Sequence, residues 1–380
     1  MHICFISSEY PKSGFPHGGI GTFLQTLSRN LVKKGVSVSV VGINYEPKNE
    51  TEIDQGVHLY RLKGSKIRGI AWATNSRVIN QKIKQINKLK AIDIVEGAEL
   101  SFAFLTKLSN ARYIIRLHGG HHYFAEAEKR GLNWRKAYQE KTSFSKADAF
   151  IGVSNYVVKL TSTFFPFGNK KVQIIRNPID TMMFQPDEQN IYDSFKIVFV
   201  GTLCKKKGVQ ELLQAFQIIR FKYPLSRLEL YGRDLIANGV SFIETIRHSN
   251  PEWFKNVEIK GAVDHKLLPS IYRSAEVCVF PSYMETQGLV APEAMGSGRP
   301  VIFSNTGPGP ETIIDKETGR LCNPYDPEDI AQKIEWVFEN KDKIPEIVTN
   351  ARQFVIENFG LEKCTSQNLK FYENLILEKS

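Results

Sequence analysis

Cysteine is scarce in this chain of 380 residues, and its copies lie far apart. They are odd in number and show no paired spacing: Cys4, Cys204, Cys278, Cys322 and Cys364. A disulfide framework or a zinc site is therefore not expected, and a reducing compartment is the natural environment. Apolar runs close to the ~20 residues needed to span a bilayer are also missing. The N-terminus enters an apolar strand without a charged leader, so we predict no signal peptide and a cytoplasmic protein.

Negative charge is scarce in the front half of the chain. Residues 1–185 contain 27 Lys and Arg against 13 Asp and Glu, whereas the remainder contains 23 against 27. The positive surplus therefore belongs to the front half and indicates an acidic partner there, which is a membrane surface, nucleic acid or a phosphorylated substrate. The hydrophobic content of 42% is enough for globular cores and excludes bulk disorder.

Short β-rich runs alternate with amphipathic helical stretches along the whole chain. The runs that we predict as strands are 2–7, 36–43, 57–62, 92–97, 112–118, 148–153, 195–201, 227–231, 257–260, 277–281 and 300–303. Many are continuous apolar runs, which favour parallel strands covered on both faces. The alternation pauses at a polar stretch, 187–194, and then restarts. We therefore predict an α/β protein with two Rossmann-like, doubly wound parallel-sheet domains, 1–186 and 187–361, that face each other across a cleft and precede a helix at 362–380.

Two loops carry residues that suit an anionic ligand. Glycines at Gly18–Gly21, just before a helix, let backbone N–H groups approach an anion at the positive end of the helix dipole. Lys205–Lys207 follows the strand 195–201 at a strand–helix junction, where ligands bind in such sheets. A flexible turn also explains the glycines and a solvated basic loop also explains the lysines, so both alternatives stay open.

The most specific pattern lies in residues 281–298, directly after an apolar strand. Glu285 and Glu293 flank Gly288, and the proline at position 292 is tolerated only near a helix start. We therefore predict a helix that begins near Gly288, with one carboxylate on the loop and the other in the first turns. Both carboxylates can then face one ligand, with backbone N–H groups between them. Two surface glutamates on an ordinary helix explain this combination poorly.

Together these motifs resemble the retaining family 4 glycosyltransferases, which have the GT-B fold. The matching residues occur in the family's order along nearly the whole chain. They are Gly18-Gly19-Ile20-Gly21-Thr22, Asn177-Pro178-Ile179-Asp180, Gly201, Lys207-Gly208, Leu267, Ile271-Tyr272, Ala275-Glu276-Val277, Pro281-Ser282, Glu285-x7-Glu293 around Gly288-Leu289, Gly307, Pro310-Glu311 and Gly319-Arg320-Leu321. In relatives, a helix like the one at 362–380 crosses back to the front domain.

The resemblance implies that the rear domain binds a nucleotide-sugar donor. In this chain the implied donor-binding residues are Gly19, Thr202, Lys206, Lys207, Arg233, Glu285, Gly288, Leu289, Val290 and Glu293. Glu293 would bind the ribose, Glu285 would contact the donor sugar and Lys207 would neutralise the diphosphate. The backbone at 288–290 would hold the diphosphate at the helix start.

The chain departs from the family pattern at several of these positions. Thr202 stands where relatives usually have an arginine, so Lys205 or Lys206 is expected to supply a diphosphate cation instead. Thr286 and Gln287 replace the usual Gly-Phe between the glutamates, which changes the pocket for the donor sugar. The resemblance therefore indicates the class of donor better than the sugar.

A run of histidines follows the strand 112–118. His118 matches the family's histidine near the donor sugar and the reaction centre, and completes a predicted catalytic set with Glu285 and Lys207. His121 and His122 are expected on the acceptor side. A metal cluster is disfavoured because zinc needs three or four converging ligands. No Asp-x-Asp motif stands beside a phosphate loop, so we predict an enzyme without a metal or other cofactor.

The densest positive stretch is 61–90, where Ile79, Ile83, Ile86 and Leu89 recur at helical spacing between the charges. A core-packed helix with a solvated basic face explains this pattern. Docking on an anionic membrane or on a lipid-linked acceptor is the alternative. Nucleic acid is not expected as a partner because no recognition motif accompanies the charge.

These observations predict a retaining hexosyltransferase that uses a nucleotide diphosphate sugar, with a UDP-sugar favoured. The basic front domain would hold a saccharide or lipid-linked saccharide acceptor, and the family's habits suggest bacterial cell-surface polysaccharide biosynthesis. Rival predictions are a nucleotide-sugar epimerase of the same fold, a phosphorylase that needs pyridoxal phosphate, and a non-catalytic nucleotide-sugar binding protein. The binding protein would tolerate the loss of Glu285.

Overall fold

The computed structural model describes residues 1–15, 17–65, 67, 71–187, 191–237 and 239–378. Its contacts divide the chain into two compact units, Met1–Pro178 with Leu361–Ser380, and Ile179–Gly360. The division falls before Ile179 rather than after residue 186, because this segment already packs in the second unit. The Ile179 N–H donates to the Phe359 carbonyl oxygen at 2.9 Å, and Phe184 is buried in the core of the same unit.

The first unit is an α/β layered structure around one sheet. In the described part of the chain, its strands are β1 (His2–Ile6), β2 (Ser37–Ile43), β3 (Glu50–Asp54), β4 (Val57–Leu62), β5 (Ile94–Gly97), β6 (Arg112–Leu117), β7 (Ala149–Gly152) and β8 (Lys171–Ile174). The strand order is β3-β4-β2-β1-β5-β6-β7-β8, and the neighbours are parallel apart from β3 and β4. Its helices are α1 (Gly19–Lys33), α2 (Ala71–Leu89), α3 (His121–Ala127), α4 (Trp134–Lys146), α5 (Asn155–Phe164) and, from the end of the chain, α13 (Leu361–Leu377).

The second unit has the same kind of architecture. Its described strands are β9 (Lys196–Val200), β10 (Arg227–Tyr231), β11 (Ile236–Ala237), β12 (Val240–Ser241), β13 (Val257–Gly261), β14 (Val277–Phe280), β15 (Val301–Ser304) and β16 (Arg320–Cys322). The main sheet is parallel with the order β13-β10-β9-β14-β15-β16, and β11 pairs with β12 alone. Its helices are α6 (Val209–Lys222), α7 (Phe242–Ser249), α8 (Leu268–Arg273), α9 (Val290–Gly296), α10 (Gly309–Thr312), α11 (Pro327–Glu339) and α12 (Ile344–Phe359).

Apolar runs predicted the central strands of both sheets, and all the predicted strands are present with small shifts at their ends. The sequence did not predict the peripheral strands β3, β8, β11, β12 and β16. β3 illustrates the reason, because residues 50–54 carry charged side chains and are mostly exposed at the edge of the sheet. Pairing with β4, rather than an apolar run, makes this segment a strand.

The basic stretch 61–90 includes the end of β4 and the whole of α2. Two of its charged residues, Lys66 and Arg68, lie outside the described residues. Ile83 and Ile86 of α2 are buried as the spacing predicted, but Leu89 is 88% exposed. Leu89 is the last residue of α2, where the helix leaves the core. Among the described helices, α2 included, no segment combines the length and apolar character needed to cross a bilayer.

A buried polar cluster attaches α13 to the sheet of the first unit. Arg116 on β6 is 1% exposed, and its Nε donates to Glu96 Oε1 of β5 at 2.7 Å. From α13, Tyr372 donates its hydroxyl to Glu96 Oε2 at 2.6 Å, and Asn368 accepts a hydrogen bond from the Arg116 guanidinium. The last helix of the chain is therefore joined to the first unit through groups that water does not reach.

Removing the negative charge from this cluster should destabilise the first unit strongly. Glu96→Gln leaves the Arg116 guanidinium buried without a counter-charge, and we expect a loss of about 3–5 kcal/mol in the free energy of unfolding. Urea denaturation checks this value. The matched control is Glu362→Gln on α13, whose exposed ion pair with Lys34 should contribute no more than about 1 kcal/mol. Equal losses in the two variants would contradict the prediction.

Candidate active site

Loops after neighbouring strands meet at the carboxyl edge of the second sheet. A glycine follows each of two adjacent strands: Gly201 follows β9 and Gly232 follows β10. A Cβ atom on Gly232 would lie 1.8 Å from the Gly201 carbonyl oxygen. Only glycine permits this approach of two backbones, so the turn after β9 and the turn after β10 pack directly against each other at the sheet edge. Ligands bind outside this edge in doubly wound sheets.

The lysine loop packs directly on the loop that carries the first glutamate. Lys205–Lys207 forms one turn of 3₁₀ helix and ends at Gly208, whose φ is +67°. A Cβ atom on Gly208 would lie 1.9 Å from the carbonyl oxygen of Pro281. The Tyr283 N–H donates to the carbonyl oxygen of Lys206 at 2.9 Å. Backbone contacts therefore bring together two loops that are far apart in sequence.

Lys207 and Glu285 form an ion pair at this contact. Lys207 Nζ donates to Glu285 Oε1, and the hydroxyl of Ser282 donates to the same oxygen at 2.9 Å. The Lys207 and Glu285 side chains are 23% and 12% exposed, so both are accessible to a ligand. The structure thus brings together two of the three residues of the predicted catalytic set.

Glu293 lies on α9, is 4% exposed and has protein partners at both carboxylate oxygens. His265 Nε2 is 3.0 Å from Oε1, and the Tyr272 hydroxyl donates to Oε2 at 3.0 Å. Burial alone would lower the pKa of His265, but the hydrogen bond and negative charge of Glu293 outweigh it and raise this pKa. Burial and the same charge raise the pKa of Tyr272 well above its ordinary value. The two partners hold the Glu293 carboxylate in one orientation.

The helix between the glutamates begins close to the predicted position. α9 starts at Val290, and Pro292 lies in its first turn. Gly288 has φ +78°, and a Cβ atom there would lie 2.7 Å from a ring carbon of Phe303. Gly288, Leu289 and Val290 are each partly exposed. Because the first N–H groups of a helix lack intrahelical partners, backbone donors lie between the two carboxylates.

The other predicted donor residues of this unit lie along the same edge. Thr202 is partly exposed, whereas Lys206 and Arg233 are exposed. The Leu203 N–H donates to the Arg233 carbonyl oxygen at 2.9 Å, so the turns after β9 and β10 remain paired beyond the strands. The edge therefore gathers several cations from separate loops, which suits a phosphate-bearing ligand.

His118 follows β6 at the carboxyl edge of the first sheet, with its ring 5.2 Å from that of Phe23. Burial, together with the positive charge of Arg116, lowers the pKa of His118 to about 3. The imidazole is therefore neutral at pH 7. Gly19 is the exposed first residue of α1, so the helix begins within the glycine motif rather than after it, where the sequence had predicted its start. A Cβ atom on its neighbour Gly21 would lie 2.2 Å from the carbonyl oxygen of Glu9.

His121 and His122 begin α3, directly after the loop that starts at His118. His122 Nδ1 is 2.5 Å from Glu140 Oε2, and the His122 N–H donates to the same oxygen at 3.0 Å. His121 Nε2 instead accepts the Asn133 N–H at 2.8 Å. Different protein partners thus engage the two imidazoles. Within the described residues, no group of three His, Cys, Asp or Glu side chains is arranged to hold a metal ion.

Glu99 lies beside this histidine loop and was not predicted. It is 2% exposed, and burial raises its pKa to about 8, with a further contribution from the charge of Glu140. The backbone N–H groups of His118 and Gly119 act in the opposite direction. The available signal was its position two residues after the predicted strand 92–97.

Three further residues were missed in the second unit. Ser282 hydrogen-bonds to Glu285, while His265 and Tyr272 hold Glu293. Ser282 and Tyr272 lie within the quoted family pattern, and His265 follows a predicted strand. Their partners lie on other segments of the chain, so the sequence alone did not assign them a role.

Comparison with known proteins agrees with this architecture. Residues 17–182 match the family described as Glycosyltransferase Family 4, and residues 183–354 match the family described as Glycosyl transferases group 1. An uncharacterized glycosyltransferase of Methanocaldococcus jannaschii is 25% identical over 98% of this chain and 98% of its own length. The O-antigen chain mannosyltransferase B of Escherichia coli is 29% identical over 53% of this chain and 51% of its own length.

Solved structures show the same fold. Sucrose-phosphate synthase from Thermosynechococcus elongatus has a TM-score of 0.85, with 22% identity and 99% of each chain covered. Anabaena HepE in complex with UDP-glucose has a TM-score of 0.76, with 16% identity over 98% of this chain and 100% of that chain. The fold is therefore the GT-B type of α/β architecture. The chain belongs to the glycosyltransferases of the family 4 type.

The contact between the lysine loop and the glutamate loop should depend on the missing side chain of Gly208. Gly208→Ala forces a Cβ atom into the Pro281 carbonyl, so the cost should exceed the ~1–2 kcal/mol of a left-handed backbone alone. Gly261→Ala is the matched control, because Gly261 has a similar φ of +71° and open space around its Cβ position. Urea denaturation measures both variants. Equal destabilisation would show that the close contact is unimportant.

Burial of neutral His118 should make the protein sensitive to acid. Its pKa is lowered from 6.5 to about 3 in the folded protein, so between these values the unfolded chain binds more protons than the folded one. Stability should therefore fall with decreasing pH, by about 1.4 kcal/mol for each unit below ~6.5. Denaturant unfolding of His118→Gln and the unmodified protein at several pH values isolates this contribution. Parallel pH curves for the two proteins would refute it.

Proposed function

We propose that this protein is a retaining hexosyltransferase that moves a sugar from a nucleotide diphosphate sugar, with a UDP-sugar favoured, to a saccharide or lipid-linked saccharide acceptor. The observation that carries the proposal is the accessible Lys207–Glu285 pair at the carboxyl edge of the second sheet, with Ser282 on the same carboxylate oxygen. A cation beside a carboxylate at this edge suits a ligand that has both a phosphate and a sugar hydroxyl.

The donor would lie along the loops of the second unit. Glu293 is assigned to the ribose, because His265 and Tyr272 orient its carboxylate while each oxygen keeps a further lone pair. The diphosphate is assigned to Lys207 and to the backbone N–H groups of residues 288–290. Arg233 is assigned to an additional phosphate contact. Gly19, the exposed first residue of α1 in the first unit, is a further donor-binding assignment, because the first N–H groups of a helix suit an anion.

Transfer separates charge, and the assigned residues act on that charge. As the sugar–phosphate bond breaks, negative charge grows on the nucleoside diphosphate and positive charge grows on the sugar ring. Lys207 and Lys206 stabilise the leaving group, which in turn helps to deprotonate the acceptor hydroxyl on the same face. Glu285 contacts the donor sugar and is not assigned as a covalent nucleophile. His118 is neutral, so its imidazole contributes a hydrogen bond near the sugar rather than a second positive charge.

No metal or other cofactor is assigned to this reaction. The cations that gather at the sheet edge, Lys205–Lys207 and Arg233, carry enough positive charge to neutralise a diphosphate.

The relatives support the class of donor, since HepE was solved with UDP and with UDP-glucose. The similarity to an O-antigen chain mannosyltransferase supports an acceptor in bacterial surface polysaccharide biosynthesis. We place the enzyme in the cytoplasm, at the inner face of the membrane.

Substitution of the ion pair tests the proposal most directly. Glu285→Gln should abolish sugar transfer but leave nucleotide binding intact, and Lys207→Ala should weaken nucleoside diphosphate binding by up to ~3 kcal/mol. Lys222→Ala and Glu339→Gln are matched controls, because these residues form an ion pair at the ends of α6 and α11. Transfer is measured by product formation and binding by calorimetry. Unchanged turnover in Glu285→Gln would favour a binding protein, and release of isomerised sugar nucleotide without an acceptor would favour an epimerase.

A thermal-shift screen identifies the donor base. UDP, GDP and ADP, with their common sugars, are tested with and without EDTA, because a ligand that binds only the folded state raises the melting temperature. One nucleotide should raise it, and EDTA should not change the shift. A shift that EDTA abolishes would overturn the assignment of a metal-independent site. No shift with any nucleotide would count against the transferase.

A further inference from the structure

Helix α4 of the first unit is poorly buried and exposes large aromatic side chains. Within α4 only Glu140, Ser143 and Phe144 are buried. Trp134 and Tyr138, one helical turn apart, are 72% and 61% exposed. Amphipathic aromatic side chains of this kind are typical of surfaces that contact both water and hydrocarbon.

Beside this helix lies a cavity with apolar walls. Its volume is about 540 Å³, which is in the range of ligand-binding pockets. Four phenylalanines from α4, β7 and the end of α5 form the walls: Phe144, Phe150, Phe164 and Phe165. The rings of Phe144 and Phe165 stack with centroids 4.5 Å apart, and Phe144 contacts Phe150 at 5.3 Å. These contacts form a continuous apolar wall that is built from three elements.

The charged groups at the cavity are cationic. Lys141 is an exposed residue of α4, and Lys170, the residue before β8, also lines the cavity. Lys170 Nζ donates to the Phe144 carbonyl oxygen at 3.0 Å, which holds this cation at the apolar wall. None of the described residues that line the cavity is acidic. The cavity therefore suits a ligand with an apolar body and an anionic group.

The cavity is continuous with the histidine loop. His122 lines it, and its ring contacts Phe165 edge-on with centroids 4.7 Å apart. His122 belongs to the segment that begins at His118 and was expected on the acceptor side. The occupant of the cavity is therefore expected to belong to the acceptor rather than to the nucleotide sugar, whose assigned residues lie mainly in the second unit.

We propose that this cavity binds the hydrocarbon chain of a phosphate-bearing lipid that carries the acceptor saccharide, with Lys141 and Lys170 at the phosphate. This inference rests on the proposed transferase function and assigns its acceptor to the lipid-linked class. Phenylalanine walls offer hydrocarbon a large contact area and offer hydroxyl groups few hydrogen-bond partners, which disfavours a bare saccharide there. The basic helix α2, which the sequence also offers for a lipid-linked acceptor, exposes charges such as Lys84 but does not line this cavity.

Binding of a monomeric probe tests the cavity itself. Dodecyl phosphate, below its critical micelle concentration, is titrated into the full chain by calorimetry, and inorganic phosphate is the comparison. We expect saturable binding of one dodecyl phosphate and at least about ten-fold weaker binding of inorganic phosphate.

Two variants locate the probe. Ala137→Trp places an indole in the cavity from α4 and should weaken dodecyl phosphate binding by about ten-fold or more. Lys141→Glu changes an exposed side chain, should fold normally and should weaken binding by a similar factor. Lys84→Glu on α2 makes the same charge change away from the cavity and should leave binding unchanged. Circular dichroism and nucleotide binding verify that each variant is folded.

Three outcomes would overturn the inference. They are equal dodecyl phosphate binding in Ala137→Trp and the unmodified protein, an equal loss in Lys84→Glu and Lys141→Glu, and binding to phosphatidylglycerol vesicles without binding of the monomeric probe. The last outcome would indicate adsorption on a bilayer surface rather than a chain site. Nucleotide binding and transfer to a soluble saccharide are measured in parallel. Their loss would refute the proposed function, whereas their persistence without dodecyl phosphate binding would refute only the lipid site.

Discussion

Close approach of one backbone to another at the carboxyl edge of the second sheet is the constraint on which the candidate site depends. Gly232 contacts the backbone of Gly201, and Gly208 contacts the carbonyl of Pro281, at distances that exclude a Cβ atom. Because these turns touch, the lysine loop lies on the glutamate loop and Lys207 reaches Glu285. The ion pair is thus a consequence of packing between loops that the sheet places side by side.

Burial affects the pKa values of titratable groups differently near Glu293 in the second unit and near His118 in the first unit. In the second unit, Glu293 is buried with His265 and Tyr272 as hydrogen-bond partners, and its negative charge raises the pKa of both. In the first unit, burial disfavours the charged forms of His118 and Glu99, whose pKa values move to about 3 and about 8. The groups around His118 in the first unit are therefore polar but largely uncharged near the predicted reaction centre. The site in the second unit presents charged side chains to an anionic donor.

The sequence predicted those parts of the fold whose signal is local. Central strands such as β9 are continuous apolar runs, because both faces of a parallel sheet are covered, and they were found where expected. Edge strands such as β3 have no such run and were missed. The unit boundary also differed, since the segment that starts at Ile179 was assigned to the first domain but pairs with Phe359 of a distant helix in the second unit.

For the site, the sequence alone predicted the positions of the loops, their glycines and the family, because each depends on short motifs with a definite spacing. The pattern around Glu285 and Glu293 was sufficient to predict a helix start between two carboxylates. Tertiary structure alone decided which side chains hold those carboxylates, which histidines are paired and where an aromatic cavity opens beside α4. The physical reason is that hydrogen bonds, burial and the resulting pKa shifts depend on distances between segments that the folded chain brings together, and a linear sequence does not record those distances.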